Sequence, residues 1–323
     1  MKSGEVPAQH GWAAHDERGS LAPMRLMLLG IKALPRVLLV PVARLVALYF
    51  LVSGRRARES SLDYLRRVER ARPASGVHAD LRWAYRHFAA FADSILDKFD
   101  AWTGRLGRED VVFGNPAQYE GLMNSGRGAL ILASHLGNIE VCRALGSRGR
   151  RVKINALVHT RHAEKMNRLL AEAGAGGFRL WQVTELDAAT ALALRECVER
   201  GEWVVIAADR VPVHGGRTVT ADLLGSPAPL PIGPYVLASL LACPVYLMFC
   251  LRRGSRNHIY VERFADRISW SRPDRDRVIA EQARRFAGRL EHYLALAPLQ
   301  WFNFYPFWSP AAQPGADGSA RDA

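Results

Sequence analysis

Apolar positions run almost unbroken from residue 21 to 53, interrupted by Arg25, Lys32, Arg36 and Arg44. No uncharged run approaches the ~18 residues of a clear spanning helix. At about 100° per residue, Arg25, Lys32 and Arg36 fall within about 40° of one another, leaving Leu, Met, Val and Ile on the other face. Pro35 and Pro41 are expected to kink or break the element. The pattern fits a basic amphipathic segment lying in an anionic interface better than a straight span. An ordinary domain helix fits less well, because Val37–Ala43 and Leu45–Val52 are apolar all round. Residues 53–72 then carry seven Arg against three acidic residues. They read as a juxtamembrane block on the cytoplasmic side, with a solvated helix face as the alternative. Over 78–104 the stripe Leu81, Tyr85, Phe88, Phe91, Ile95 and Phe99 predicts a helix.

From about residue 110 the period alternates. Short apolar runs of strand length occur at 129–133, 152–158, 178–183, 203–207 and 245–251, with another expected near 258–264. Helix patterns occupy 138–147, 162–173 and 187–200, the last opened by a capping box of Thr184 and Asp187. A long loop over 208–230 leads to an apolar helix at 232–242, and a closing helix spans 274–297. The expected fold is α/β, with a mainly parallel mixed sheet flanked by helices and an N-terminal membrane-associated helical segment. The expected organisation is a disordered lead (1–20), a membrane-anchoring segment (21–55), a helical part (56–108), the catalytic domain (109–310) and a disordered tail (311–323).

Composition narrows the partners. With 49% hydrophobic and 23% charged residues the chain is globular, and its net charge of +13 asks for an acidic partner. Nucleic acid is disfavoured, since the basic residues flank apolar helices instead of clustering with exposed aromatics. Cys142, Cys197, Cys243 and Cys250 have no metal-ligand spacing and read as buried reduced thiols. No secretory signal fits. The chain has no G-x-S-x-G, P-loop, G-x-G-x-x-G, HExxH or CxxC, so covalent-hydrolase, nucleotidase and zinc-protease readings lose their main support. No metal is expected; His159 and His162 around Arg161 read as a strand-to-loop edge.

The chemistry concentrates in Ala129-Leu-Ile-Leu-Ala-Ser-His135-Leu-Gly137-Asn138-Ile-Glu140. His135 comes at the carboxyl end of a buried strand, where open α/β sheets place ligands. Asn138 suits the N-cap of the next helix, and Glu140 in its first turn leans back toward the histidine. A carboxylate there could hold one imidazole nitrogen and leave the other as base. The amides around Gly137 and Asn138 could donate to a developing oxyanion. A capping or core histidine is the bland alternative.

This segment looks like the His-four-residues-acid motif of glycerolipid acyltransferases. It is similar to the H-x-G-N-x-E form of the bacterial lipid A biosynthesis acyltransferases. The likeness continues in Val158-His-Thr-Arg161 with Asn167-Arg-Leu-Leu, in Gly201-Glu-Trp-Val-Val-Ile-Ala-Ala-Asp209, in Leu223-Leu-Gly225 through Pro231-Ile-Gly-Pro234, and in Pro298-Leu-Gln-Trp301-Phe-Asn-Phe. It covers about residues 25–308. The resemblance implies transfer of a fatty acyl group from an acyl thioester, carried by acyl carrier protein, to a hydroxyl of a lipid or glycolipid at the cytoplasmic face of a bacterial inner membrane. His135 would be the base and Glu140 its partner, with Gly137, Asn138, Arg161, Asp209 and Arg210 toward substrate and no cofactor. A lysophosphatidic-acid-type enzyme and a catalytically silent membrane scaffold are the alternatives. Two departures stand out: Arg210 follows Asp209, and Ala-Gly-Ala-Gly-Gly occupies 173–177 where the family carries an Arg. Asp209-Arg210 and Gln-Trp-Phe-Asn-Phe resemble the divergent, aryl-polyene-type branch, and the departures imply an acceptor other than a lipid A precursor. The aromatics of 301–308 are expected to close the core, or else to line an acyl tunnel or the bilayer interface.

Overall fold

A computed structural model describes residues 34–102, 104–107, 109–139, 141–142, 152–158, 178–182, 187–211 and 216–308. The all-apolar run becomes β2 (Ala129–Ala133), buried along its whole length. Only a central strand flanked on both sides by partners and covered on both faces needs that sequence. β5 (Trp203–Ala207) and β8 (Val245–Arg253) are its parallel neighbours. The seven-stranded sheet has the order β1-β9-β8-β2-β5-β3-β4, with β1 (Val111–Phe113), β3 (Ile154–Val158), β4 (Phe178–Gln182) and β9 (Arg256–Ala265). The β8–β9 pair is antiparallel and every other pairing is parallel. This is the expected mainly parallel mixed sheet.

Alternate β2 side chains serve two cores. Leu130 and Leu132 join the larger cluster with α6 (Gly233–Leu241) and α7 (Arg275–Leu296), while Ala129 and Ile131 pack with Leu122 of α4 (Pro116–Asn124) on the other face. The larger cluster also takes in α2 (Arg55–Ala71) and α3 (Leu81–Trp102). The four cysteines are free and buried.

Three expectations need correction. The loop expected over 208–230 contains a hairpin, β6 (Thr218–Leu223) and β7 (Ser226–Pro231). Pro227, Pro229 and Pro231 masked it, yet a two-stranded ribbon tolerates proline on its unpaired side. Leu224 and Gly225 turn the hairpin with φ of 53° and 69°, the paired left-handed residues of a tight two-residue turn. Second, Asp187 is itself the N-cap of α5 (Ala188–Glu199), accepting from the Thr190 amide at 2.7 Å; Thr184 lies outside the described residues. Third, α1 (Arg36–Ser53) runs through Pro41 without a break. The carbonyl that Pro41 leaves unmet belongs to Val37, in the exposed first turn.

The charges of α1 also turn the other way. Arg36 bonds Asp97 and Asp100, and Arg44 bonds Asp93 at 2.7 Å, all on α3. Arg36, the one described residue of the basic face expected to meet lipid, therefore meets the protein, as does Arg44. Leu38, Val42, Leu45, Tyr49 and Val52, more than half exposed, form an outward stripe. The helix is long and apolar enough to cross a membrane, with a mean hydropathy of 1.9. Arg25 and Lys32 lie outside the described residues.

Where β2 leaves the sheet, Gly137 adopts φ 75° and bridges to Cys250 of β8. A Cβ there would overlap the Cys250 carbonyl oxygen. Gly137→Ala is expected to destabilise the protein by about 2 kcal/mol or more, adding left-handed backbone strain to a displaced strand. Urea unfolding in detergent measures it, and an unchanged midpoint would contradict the geometry.

Candidate active site

Register places the two central groups. Ala133 of β2 pairs with Ala207 of β5. His135 and Asp209 each follow two residues later, so they emerge side by side at the carboxyl edge of neighbouring parallel strands, about 4.8 Å apart. The Asp209 carboxylate, 0% exposed, accepts three hydrogen bonds: from the His135 amide, from His135 Nδ1 and from Trp301 Nε1, each at 2.8 Å. Burial alone would push the Asp209 pKa up. The charge and hydrogen bond of His135, then Arg210 and Trp301, reverse that and hold it below its ordinary value. Asp209 is thus an anion, and Nδ1 facing it must carry the proton. Nε2 is left as the basic nitrogen.

His135 and Gly137 line a cavity of about 400 Å³ together with Lys98, Arg210, Phe302 and Phe304. Among the described residues no carboxylate lines it. Trp301 is held from behind: His87, fully buried, meets its carbonyl at 2.9 Å and the Ser61 hydroxyl at 2.9 Å. Burial drives the His87 pKa down to about 4, so this histidine is neutral and structural. Arg210, expected toward substrate, instead donates Nε to Asn303 Oδ1 at 2.7 Å and a terminal NH to the Phe302 carbonyl. It reaches the cavity from a position fixed against the C-terminal segment.

The two amides named for the expected oxyanion hole are engaged elsewhere. The Gly137 amide donates to the Gln300 carbonyl and the Asn138 amide to the Cys250 carbonyl, both at 2.8 Å. The Asn138 side chain is turned toward α3: its Nδ2 donates to the Ser94 carbonyl at 2.9 Å, and its Oδ1 has no partner among the described residues. The sheet edge and the C-terminal segment claim both amides, which spacing alone could not reveal. Glu140, expected to hold the imidazole, lies outside the described residues, as do Arg161, His159 and His162; at Nδ1 the partner is Asp209. Neither Trp301 as donor to that carboxylate nor Lys98 in the cavity was singled out from sequence. A polar tip on an aromatic inside an apolar run is the one signal that pointed to Trp301.

A model of the family described as bacterial lipid A biosynthesis acyltransferase matches residues 111–309, more than half of the chain. The chain belongs to that family. No curated protein matches it. His135, Asp209 and Trp301 fall inside the matched segment of this acyltransferase, whereas α1, α2 and α3 lie before it.

Burial in the cavity wall lowers the His135 pKa, Asp209 opposes the shift, and Arg210 and Lys98 add to it. An imidazole acting as base must be neutral, and it is neutral above its pKa. The acid limb of kcat/KM for the acyltransferase is therefore expected below pH 6.5, the ordinary histidine value. In Asp209→Asn, which removes the opposing charge, the limb of the residual activity should move lower still. A limb at or above 7 in the wild type would contradict the assignment.

Proposed function

We propose that this acyltransferase moves a fatty acyl group from the thioester of acyl carrier protein to a hydroxyl of a membrane lipid or glycolipid, with His135 as general base. The observation that supports it is the His135–Asp209 pair, with His135 in the lining of an aromatic-rich cavity, Nδ1 held by Asp209 and Nε2 left as the base. His135 Nε2 takes the acceptor's hydroxyl proton as the oxygen attacks the thioester carbonyl carbon. The tetrahedral intermediate collapses, the C–S bond breaks, and the imidazolium returns its proton to the departing thiolate. No acyl-enzyme forms. Asp209 fixes the tautomer and stabilises the imidazolium. The basic surface of the chain suits the acidic carrier.

The acceptor is proposed to be a lipid other than a lipid A precursor. A site for a sugar bearing two phosphates needs a charge-assisted partner for each. Arg210 is engaged with Asn303 and Phe302, and 173–177 contributes only Ala and Gly.

His135→Ala is expected to abolish acyl transfer from a myristoyl thioester of acyl carrier protein to a lipid extract of the source membrane. Asp209→Asn should lower kcat by ~10²–10⁴, the scale of an oriented general base. Both proteins should remain folded. Full turnover by His135→Ala would end the mechanism. A loss in Glu140→Ala with none in Asp209→Asn would reassign the partner of the imidazole.

We also propose attachment at the cytoplasmic face of the inner membrane through α1 lying in the interface. Its inward arginines tie it along α3, and its outward stripe is apolar, which supports lying over crossing. Leu45→Asp with Tyr49→Asp is expected to shift the protein from the membrane to the soluble fraction. Unchanged sedimentation with membranes would place the attachment elsewhere.

A further inference from the structure

The acyl-transfer reading leaves one charge uncompensated: the oxygen that becomes an anion when the thioester carbonyl is attacked. The amides of residues 135–138, just past β2, are all engaged. His135 N donates to Asp209, Leu136 N to Ser134 Oγ at 3.2 Å, Gly137 N to Gln300 and Asn138 N to Cys250. The Tyr305 hydroxyl, although its residue lines the cavity, is enclosed and without a partner among the described residues. Arg210 is turned to the C-terminal segment.

Lys98 is different. It lies on α3 one heptad after Phe91, so both present the same face of the helix to the cavity. The neighbouring carboxylates on α3 are taken: Asp93 by Arg44, Asp97 by Arg36 and Arg252, Asp100 by Arg36. Among the described residues Lys98 itself has no hydrogen bond or ion pair. It is half-buried, and its charge bears on His135. An ammonium on a flexible stem, in a cavity that no described carboxylate lines, is strongest toward an anion that appears only transiently.

We infer that Lys98 is a catalytic residue of this acyltransferase, its ammonium donating to the oxyanion of the tetrahedral intermediate formed at the acyl thioester. The assignment rests on the acyl-transfer reading and lies outside the segment matched to the family. The proton of the acceptor hydroxyl goes to His135 Nε2 and the carbonyl π electrons move to the oxygen beside Lys98; on collapse that pair re-forms the carbonyl, the C–S pair leaves with the sulfur, and the imidazolium proton passes to the thiolate. Lys98 donates a hydrogen bond and is not consumed.

The test uses the full chain in detergent, myristoyl acyl carrier protein as donor and the lipid extract as acceptor, with Lys98→Met, Lys98→Arg, Arg161→Met and His135→Ala side by side. Methionine keeps the length and apolar stem of lysine, and unfolding midpoints confirm each fold. Lys98→Met is expected to lower kcat by ~10²–10³ with KM for both substrates changed less than about threefold, and Lys98→Arg to recover much of it. A Lys98→Met that raises KM for the acceptor at unchanged kcat makes the lysine a headgroup contact and overturns the assignment. So does full activity in Lys98→Met with a kcat loss in Arg161→Met. Lost transfer in His135→Ala beside an unaffected Lys98→Met sinks this inference alone, while activity in both sinks the acyl-transfer reading with it.

Discussion

One buried carboxylate organises the catalytic edge. Asp209 has no access to water, and an isolated buried anion would cost several kcal/mol, so it persists only because three N–H groups converge on it. Those three donors come from two separate parts of the chain: the His135 main chain and ring after β2, and the indole of Trp301 after α7. Because the carboxylate must be satisfied, the strand end that carries His135 and the C-terminal segment that lines the cavity have to meet. The proposed catalytic pair is in this sense also the fastener of the fold at that edge. An Asp there serves tautomer control and chain closure at once.

The C-terminal segment is itself pinned from several directions. Leu136 bridges Trp301, the Phe302 amide donates to the His135 carbonyl at 3.1 Å, and Gln300 exchanges bonds with Arg252 at the end of β8. Tyr64 of α2 donates to the Pro298 carbonyl at 2.5 Å, and its ring meets Trp301 edge-on at 5.2 Å. A neutral His87, kept so by burial, completes the arrangement. Trp301 is therefore fixed at its backbone and its ring before it touches Asp209, which gives the carboxylate a donor that need not reorganise when the imidazole gains charge.

The strands were legible because their apolar runs are short, buried and bounded: 129–133 and 203–207 match their observed spans to the residue. His135 was legible for the same reason, as the first titratable group past a central strand. The Asp209 that meets its Nδ1 was not: Asp209 is near only because β5 lies beside β2 at matched register, and strand order is a property of the whole sheet. The amides of Gly137 and Asn138 carried the same ambiguity: local geometry allows them to face a ligand, and long-range pairing decided otherwise. Periodicity likewise found the two faces of α1 but could not tell which faced the protein. Asp93, Asp97 and Asp100, spaced to share one side of α3, settle that question by offering its arginines carboxylates in place of lipid headgroups.

Helix α3 then joins the two halves of the function. One face, through those three aspartates, carries α1 and its outward apolar stripe; another, through Phe91 and Lys98, forms a wall of the cavity that holds His135. The buried Asp97 sits between them, bonded to Arg36 on one side and to Arg252 of the central sheet on the other. An ion network of this kind contributes little net stability compared with apolar packing, because desolvating its members offsets most of their attraction. What it contributes is position. Sliding α1 by one turn would leave Asp97 and Asp100 buried without Arg36, an expensive arrangement, so the apolar stripe and the cavity keep one fixed relation. Under the proposed function, in which the acceptor arrives in a bilayer and the thioester from water, that fixed relation is what lets a rigid site serve both.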